Sequence, residues 1–394
     1  MYNHKKKYSR KKNSRKNSRK NSKKSKKISS NKSYKISRTI INNKYETFLK
    51  PYSSDYKKAL IDLSKILSTI DYPFLKYFTK LEKIRQNFIS LKNFKPLVIH
   101  EQYNLSSINL SQEQLKFNGK YFLIIDQPFE YDSIELISDF FNEECRVHCK
   151  FITENYSIFQ FYRNNLDLII KYLEKGNRPL TLENIRETIW HIGYKECTTF
   201  KPKLEKFFIE YFKAKNVLDI SSGWGDRLIG AMASNIDLYH GFDPNPCLHK
   251  NYKKIIETFK DLQTNPDAKF IIKKLPFEKA VLKNNFYDLV MTSPPYFNME
   301  IYDSAVEQSV STTDTSPLQE KYWYENYLLV WMNKCFHALK KGGIIAININ
   351  QSKNQNYVYW LLNDMKKLFT FLGTISHSKP NKKNPQPTFI WKKN

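Results

Sequence analysis

The stretch FYDLVMTSPPYF, residues 286–297, begins as an apolar run and stops at two prolines followed by two aromatic residues. Proline lacks an amide hydrogen and fixes its own backbone angle, so Pro294-Pro295 ends the ladder of a buried strand and holds the preceding carbonyl in one direction. A rigid carbonyl beside the flat ring of Tyr296 has the makings of a clamp for a planar polar group. The segments on either side decide what kind of sheet this strand belongs to.

Toward the amino terminus lie three more strand-like runs, NVLDIS (216–221), LYHGFD (238–243) and KFIIKK (269–274). Toward the carboxyl terminus lie GIIAININ (343–350), FTFLGTIS (369–376) and PTFIWKK (387–393). Segments of helical spacing separate them at 227–233, 246–262, 319–339 and 357–369. Strands alternating with helices predict an α/β fold with a parallel sheet. SKPNKKNPQ, between the last two strands, is too short and too rich in proline for a crossover helix, so those strands should form an antiparallel hairpin.

Ligand signals fall at the ends of these strands. VLDISSGWGDRL (217–228) places Asp219, Gly223 and Gly225 at a strand-to-helix turn. Glycine lets the backbone approach a ligand, and an acidic residue at the strand end can accept from an ammonium or hydroxyl. A GxG turn alone is weak, since many α/β proteins use one only to reverse the chain. The next strand, however, ends in Asp243, where a carboxylate would grip ribose hydroxyls. A nicotinamide dinucleotide would share that carboxylate, yet the turn has no third glycine to admit a pyrophosphate. S-adenosylmethionine (SAM), which has no phosphates, does not need it.

With the Ser293-Pro294-Pro295-Tyr296 tetrapeptide on the fourth strand, these features resemble the SAM-dependent amino-methyltransferases of nucleic acids, over roughly half the chain. The catalytic tetrapeptide of that family is Asp, Asn or Ser followed by Pro-Pro and an aromatic residue. The resemblance implies an α/β fold with a Rossmann-like seven-stranded sheet at 196–394; patterning and composition place an amino-terminal α+β domain at 41–195 and a disordered basic tail at 1–40 before it. It places Phe200, Lys201 and Pro202 over the methionine end of the cofactor, and Phe277 and Glu278 near its adenine. Asp219, Gly223, Gly225 and Asp243 complete the expected cofactor site.

An exocyclic amino group of adenine or cytosine is a poor nucleophile because its lone pair is delocalised into the ring. Acceptance of its hydrogens by the Ser293 hydroxyl and the Pro294 carbonyl would favour a pyramidal nitrogen whose lone pair points at the methyl donor, with Tyr296 stacked on the base. Positioning supplies much of the acceleration, with neither a metal nor a covalent intermediate required. A duplex substrate would have to extrude its base. Family analogy leans toward N4-cytosine for serine at the first position, while N6-adenine enzymes more often carry Asp or Asn. DNA is expected ahead of RNA as the partner. The rivals are methylation of a glutamine side chain in a protein, and a non-catalytic nucleic-acid-binding protein on the same fold.

Of the net charge of +27, residues 1–40 hold 17 Lys and Arg and no acid, leaving 48 basic against 38 acidic residues, or +10. The tail includes the near-repeat KNSR, KNSR, KNSK (12–23) and almost nothing apolar to bury, so it cannot fold alone. It suits contact with phosphates, a nuclear address or a solubilising extension. No stretch reads as a secretory signal or membrane helix, so a soluble intracellular protein, nuclear or cytoplasmic, is expected. Five cysteines argue for reduced thiols.

Two patterns are decoys. Pro246-Cys247 is the dipeptide of cytosine C5 enzymes, but it follows the ribose strand instead of the fourth. Cys145, His148 and Cys149 have no second cluster at zinc-ligand spacing nearby. Glu300 and Asp303 either contact substrate or solvate a loop. The Ser/Thr-rich SVSTTDTSP (309–317) is a candidate lid. Within 41–195, YKKALIDLSKIL and LTLENIRETIWHI read as helices, and KYFLIID and FITENYSIFQFY as strands. This region is either the substrate-recognition part or a scaffold covering the sheet edge.

Overall fold

The computed structural model describes residues 61–62, 64–65, 67–95, 97–99, 120–125, 133–176, 178, 181–302, 314–351, 354–377 and 386–394. The expected tail at 1–40, Asp303, most of the 309–317 loop and nearly all of SKPNKKNPQ lie outside the described residues. The amino-terminal part contains helices α1 (Leu81–Asn93), α2 (Leu136–Arg146), α3 (Ile158–Asn164), α4 (Leu166–Lys175) and α5 (Leu182–His191), with strands β1 (Leu97–Ile99), β2 (Lys120–Ile125) and β3 (Lys150–Phe151). FITENYSIFQFY, expected to be a strand, is strand only at its start. Ser157 and Gln160 form a capping box that starts α3 instead, each side chain satisfying the other's backbone amide.

The remainder alternates as its periodicity predicts. Helix α6 (Pro202–Tyr211) leads into β4 (Asn216–Asp219), α7 (Asp226–Met232), β5 (Leu238–Phe242), α8 (Pro246–Phe259), β6 (Lys269–Lys273) and β7 (Tyr287–Thr292). There follow β8 (Glu300–Ile301), α9 (Pro317–Trp323), α10 (Leu329–Ala338), β9 (Leu339–Asn348), α11 (Tyr357–Met365), β10 (Phe369–His377) and β11 (Gln386–Lys393). The single helix expected at 319–339 is in fact α9 and α10 joined by a π-helical turn at Tyr324–Leu328.

The sheet runs β1-β2-β10-β11-β9-β7-β4-β5-β6. The seven strands read from the sequence form the Rossmann-like methyltransferase arrangement, parallel except for β11, which is antiparallel to both β10 and β9. Among the described residues the sheet has nine strands, two more than the seven read from the sequence: β2 pairs parallel with β10, and β1 pairs antiparallel with β2. These additions pair backbone groups that β10 would otherwise present as an open edge.

Strand residues alternate between two cores. Val217, Leu289, Met291, Ile344 and Ala346 face α1, α2, α6, α7 and α8, while Leu218, Val290, Ile345 and Ile347 face α9, α10 and α11. A third cluster holds α3, α4 and α5 together. Helix α2 is tied to α5 by buried ion pairs. Arg146, 2% exposed, meets Asp139 at 2.8 Å and Glu196 at 2.7 Å, and Arg186 meets Asp139 and Glu143 at 2.8 and 2.7 Å.

The expectation of reduced thiols is overturned for one pair: Cys145 at the end of α2 is bonded to Cys247 in the first turn of α8. Packing of α2 on α8 brings together cysteines 102 residues apart, with Cα atoms 6.0 Å apart. The other three cysteines are free and buried. Among the described residues no helix is long and apolar enough to cross a membrane, and no cluster of side chains is suited to a metal.

Candidate active site

Strand β7 lies between β4 and β9. The chain turns from the β4-β5-β6 side to the other half of the sheet on entering β7, and in such sheets the crevice beyond the carboxyl ends at this point is where ligands bind. Ser293, Pro294, Pro295 and Tyr296 emerge there and line a cavity of about 760 Å³, within the range of about 300–1,000 Å³ usual for ligand pockets.

The proton order in this corner follows from its partners. Asn348, ending β9, donates from Nδ2 to the Pro387 carbonyl at 3.1 Å, so its Oδ1 faces Tyr296. The Tyr296 hydroxyl lies 2.9 Å from that Oδ1, 3.0 Å from the Asn348 carbonyl and 2.9 Å from Ser293 Oγ. Both Asn348 oxygens can only accept, so Tyr296 donates to Asn348 and receives the Ser293 proton. Ser293 Oγ is left with lone pairs as an acceptor. Burial pushes the Tyr296 hydroxyl up to about 12, which keeps its proton in place. Ser221 of the β4 turn donates to the Ser293 carbonyl at 3.1 Å, tying the two loops together.

At the other end, Gly223 and Gly225 have φ of 56° and 95°. A Cβ at Gly225 would meet Ile255 at 3.0 Å as well as adopting a left-handed backbone, so the turn requires glycine there. Asp243 lines the cavity, and its oxygens accept from the Gly223 amide at 2.9 Å and the Asn245 amide at 2.9 Å. Burial raises its carboxyl to about 7, against those two bonds. Phe277 lines the wall beside it, edge-on to Phe242 at 5.3 Å. Phe200 and Lys201 line the wall near Trp224, and Lys201 pairs with Glu135.

The structure therefore brings Ser293, Pro294, Pro295, Tyr296, Gly223, Asp243, Phe277 and Phe200 onto one cavity, and leaves Asp219, Gly225 and Pro202 off its wall. Asp219 is wholly buried and accepts from the Ser221 amide at 3.1 Å, Arg227 at 2.8 Å and Tyr239 at 2.6 Å. Its carboxylate holds the turn from beneath. Pro202 starts α6, and its carbonyl packs so closely on α7 that a Cβ at Gly230 would fall 2.5 Å away. Glu278 lies off the wall and accepts from the Trp331 indole at 3.2 Å.

Several wall residues have no sequence signature. Asn348 is a polar end to an apolar strand next to β7, the one signal that could have marked it. Glu300, read as either substrate contact or loop solvation, lines the cavity. Its carboxylate accepts from the Thr198 amide at 2.9 Å and the Tyr302 hydroxyl at 2.9 Å, and burial raises its pKa. Cys247, in the disulfide, does not line the cavity.

Comparison with known families places one part of this site. The N6/N4 methyltransferase model, described as DNA methylase, matches residues 287–391, from β7 through β11. This segment is similar to the N6/N4 DNA methylase family. The matched segment contains the tetrapeptide and Asn348, whereas the glycine turn and Asp243 precede it. No curated protein matches the chain. Among solved structures, the chain is similar to tRNA (m1A58) methyltransferase TrmI from Aquifex aeolicus, at 14% identity over 51% of this chain and 73% of that one, with a TM-score of 0.33. It is also similar to an rRNA methylase from Streptococcus thermophilus, at 15% identity over 50% and 99% of the two chains, with a TM-score of 0.32. The fold assignment of the sheet rests on the strand order itself.

Proposed function

We propose that this chain is a SAM-dependent methyltransferase acting on the exocyclic amino group of a nucleic-acid base, in DNA ahead of RNA. The observation that carries the reading is the set of contacts around the Tyr296 hydroxyl, 2.9 Å from Ser293 Oγ and 2.9 and 3.0 Å from the two Asn348 oxygens, from which the proton order at Ser293 follows. A hydroxyl committed as donor to Tyr296 has its lone pairs left to accept an amino hydrogen, beside a proline-fixed carbonyl and in the same cavity as Asp243. The donor set around the glycine turn fits SAM. Asp243 suits a ribose of either ligand, but the Asp226 carboxylate at the glycine turn would disfavour a pyrophosphate, and Trp224 occupies the turn where a dinucleotide fingerprint has small residues. Asp243 would accept from ribose hydroxyls, Phe277 would cover the adenine, and Phe200 the methionine end.

Bound SAM supplies a methyl group on a cationic sulfonium, already an activated electrophile. Ser293 Oγ and the Pro294 carbonyl would hold the two amino hydrogens, turning the nitrogen lone pair out of conjugation and toward that methyl. These acceptors contribute most as the nitrogen becomes cationic, so they favour the transition state over the bound substrate. The nitrogen that accepts the methyl would hold one surplus proton, which the Ser293 hydroxyl could accept as a hydrogen bond and pass toward solvent while the Pro294 carbonyl keeps the other hydrogen in place. Tyr296 would stack on the base while its hydroxyl, fixed by Asn348, sets the Ser293 rotamer.

The test is incubation of the full chain with methyl-labelled SAM and, separately, single-stranded DNA, RNA of matching sequence and mixed protein, followed by product analysis. Label on N4-methylcytosine or N6-methyladenine from DNA is expected, and Ser293→Ala should lower the rate more than SAM affinity. Label confined to RNA or to glutamine side chains overturns the DNA reading. Binding of SAM with no label transferred overturns the enzymatic one.

A further inference from the structure

Beyond the tetrapeptide the cavity continues to a rim built by the amino-terminal part of the chain: Phe151 of β3, Trp190 near the end of α5, and Gly193, Tyr194 and Lys195 after it. Trp190 exposes 58% of its surface, although tryptophan is highly buried on average. Tyr194 is locked by stacking on Phe161, with ring centroids 4.2 Å apart at 22°, and by donating its hydroxyl to the Tyr156 carbonyl at 2.6 Å. Lys195 Nζ lies 5.8 Å from the centroid of the Phe151 ring. Gly193 turns the chain between them at φ 87°, with nothing within 4 Å of the place a Cβ would take.

This rim is fastened to the catalytic loop. Strand β3 pairs antiparallel with β8, Lys150 opposite Ile301 and Phe151 opposite Glu300, and the Ile152 amide donates to the Met299 carbonyl at 3.0 Å. The aromatic rim is therefore held at a set position three to five residues along the chain from Tyr296. Between them the wall carries Glu300 and the Arg146–Glu196 ion pair, so the cation placed to meet a phosphate backbone is the exposed Lys195 at the rim.

We propose, building on the function above, that this rim is a stacking platform for the nucleotides flanking the target in an unpaired DNA strand. Trp190 and Phe151 offer ring faces to the bases, and Lys195 offers its ammonium to the phosphate between them. Every base has a π-face, so such a platform holds the strand without reading sequence, and its continuity with the cavity carries the neighbouring base toward Tyr296.

A short fluorescent oligothymidylate tests the platform apart from catalysis, because thymine has no exocyclic amino group to methylate. With the full chain, Trp190→Ala should weaken its binding by about tenfold or more. Trp190→Phe should restore most of the loss, and SAM binding by Trp190→Ala should equal that of the unaltered chain, which checks the fold. Equal oligothymidylate affinity in Trp190→Ala overturns the platform even if the protein methylates DNA. Binding of oligouridylate without oligothymidylate overturns the choice of DNA. Trp190-dependent binding by a protein that methylates no nucleic acid supports the platform while removing the proposed function.

Discussion

Asp243 is 7% exposed, and burial lifts its carboxyl to about 7 although two backbone amides donate to it. The unfolded value is near 3.9. Between these limits the folded chain binds more protons than the unfolded one. The residue's contribution to stability is thus full at low pH and is lost as pH rises through about 7. Ligand binding has the opposite sign, since ribose hydroxyls donate best to the ionised form. The dissociation constant for SAM should fall as pH rises from about 6 to about 8 and then level. Asp226, also raised to about 7 by burial, titrates in the same window, so Asp243→Asn is the control. It should bind SAM about tenfold or more weakly, as expected for loss of a charge-assisted hydrogen bond, and keep only the pH dependence that Asp226 supplies. Calorimetric titration of SAM reads both. A pH-independent constant in the unaltered chain, or undiminished affinity in Asp243→Asn, would move the ribose elsewhere. At this scale the sequence placed Asp243 and Ser293 at strand ends, and the structure puts both on the cavity wall. Asn348 stayed hidden, because its role comes from the neighbouring strand and not from its own surroundings in the chain.

Helices α2 and α8 are joined by the Cys145–Cys247 bond at a point that matters for the cavity. Asn142 of α2 donates to the Trp224 carbonyl at 2.7 Å, and Asn245 caps α8 two residues after Asp243. Closing a loop of this length removes unfolded-state entropy, and loss of such a bond typically costs about 2–4 kcal/mol. Reductant should lower the denaturation midpoint of the unaltered chain toward that of Cys247→Ser and leave the variant unchanged. A midpoint indifferent to reductant would mean that the two thiols remain separate in solution, as the odd cysteine count suggested. The bond escaped the sequence reading for a physical reason: two cysteines 102 residues apart meet only through helix packing, which periodicity does not encode. The same limit explains β1 and β2, whose place on the sheet is fixed by the edge of β10. The β4–β7 and β9–β11 strands were legible because each is an apolar run bounded by turn residues. The terminal hairpin was legible because its connection leaves no room for a crossover.

Across the whole molecule, most of the net positive charge and the candidate site occupy different parts of the chain. Residues 1–40 supply 17 of the basic residues, while the remainder, with the cavity, nets +10. If the tail neutralises phosphates, each contact it makes adds about 0.9 to the logarithmic salt slope on duplex DNA and about 0.7 on single strands. Deleting residues 1–40 should then flatten that slope by several units and weaken DNA binding most at low salt, leaving SAM affinity unchanged. The truncated chain should still lose oligothymidylate binding on Trp190→Ala, because stacking at the cavity rim is local and only weakly dependent on salt. Anisotropy titrations of both chains across a range of salt concentrations make the measurement. An unchanged slope after truncation would assign the tail to addressing or solubility, and the affinity for nucleic acid would then have to come from the folded part alone.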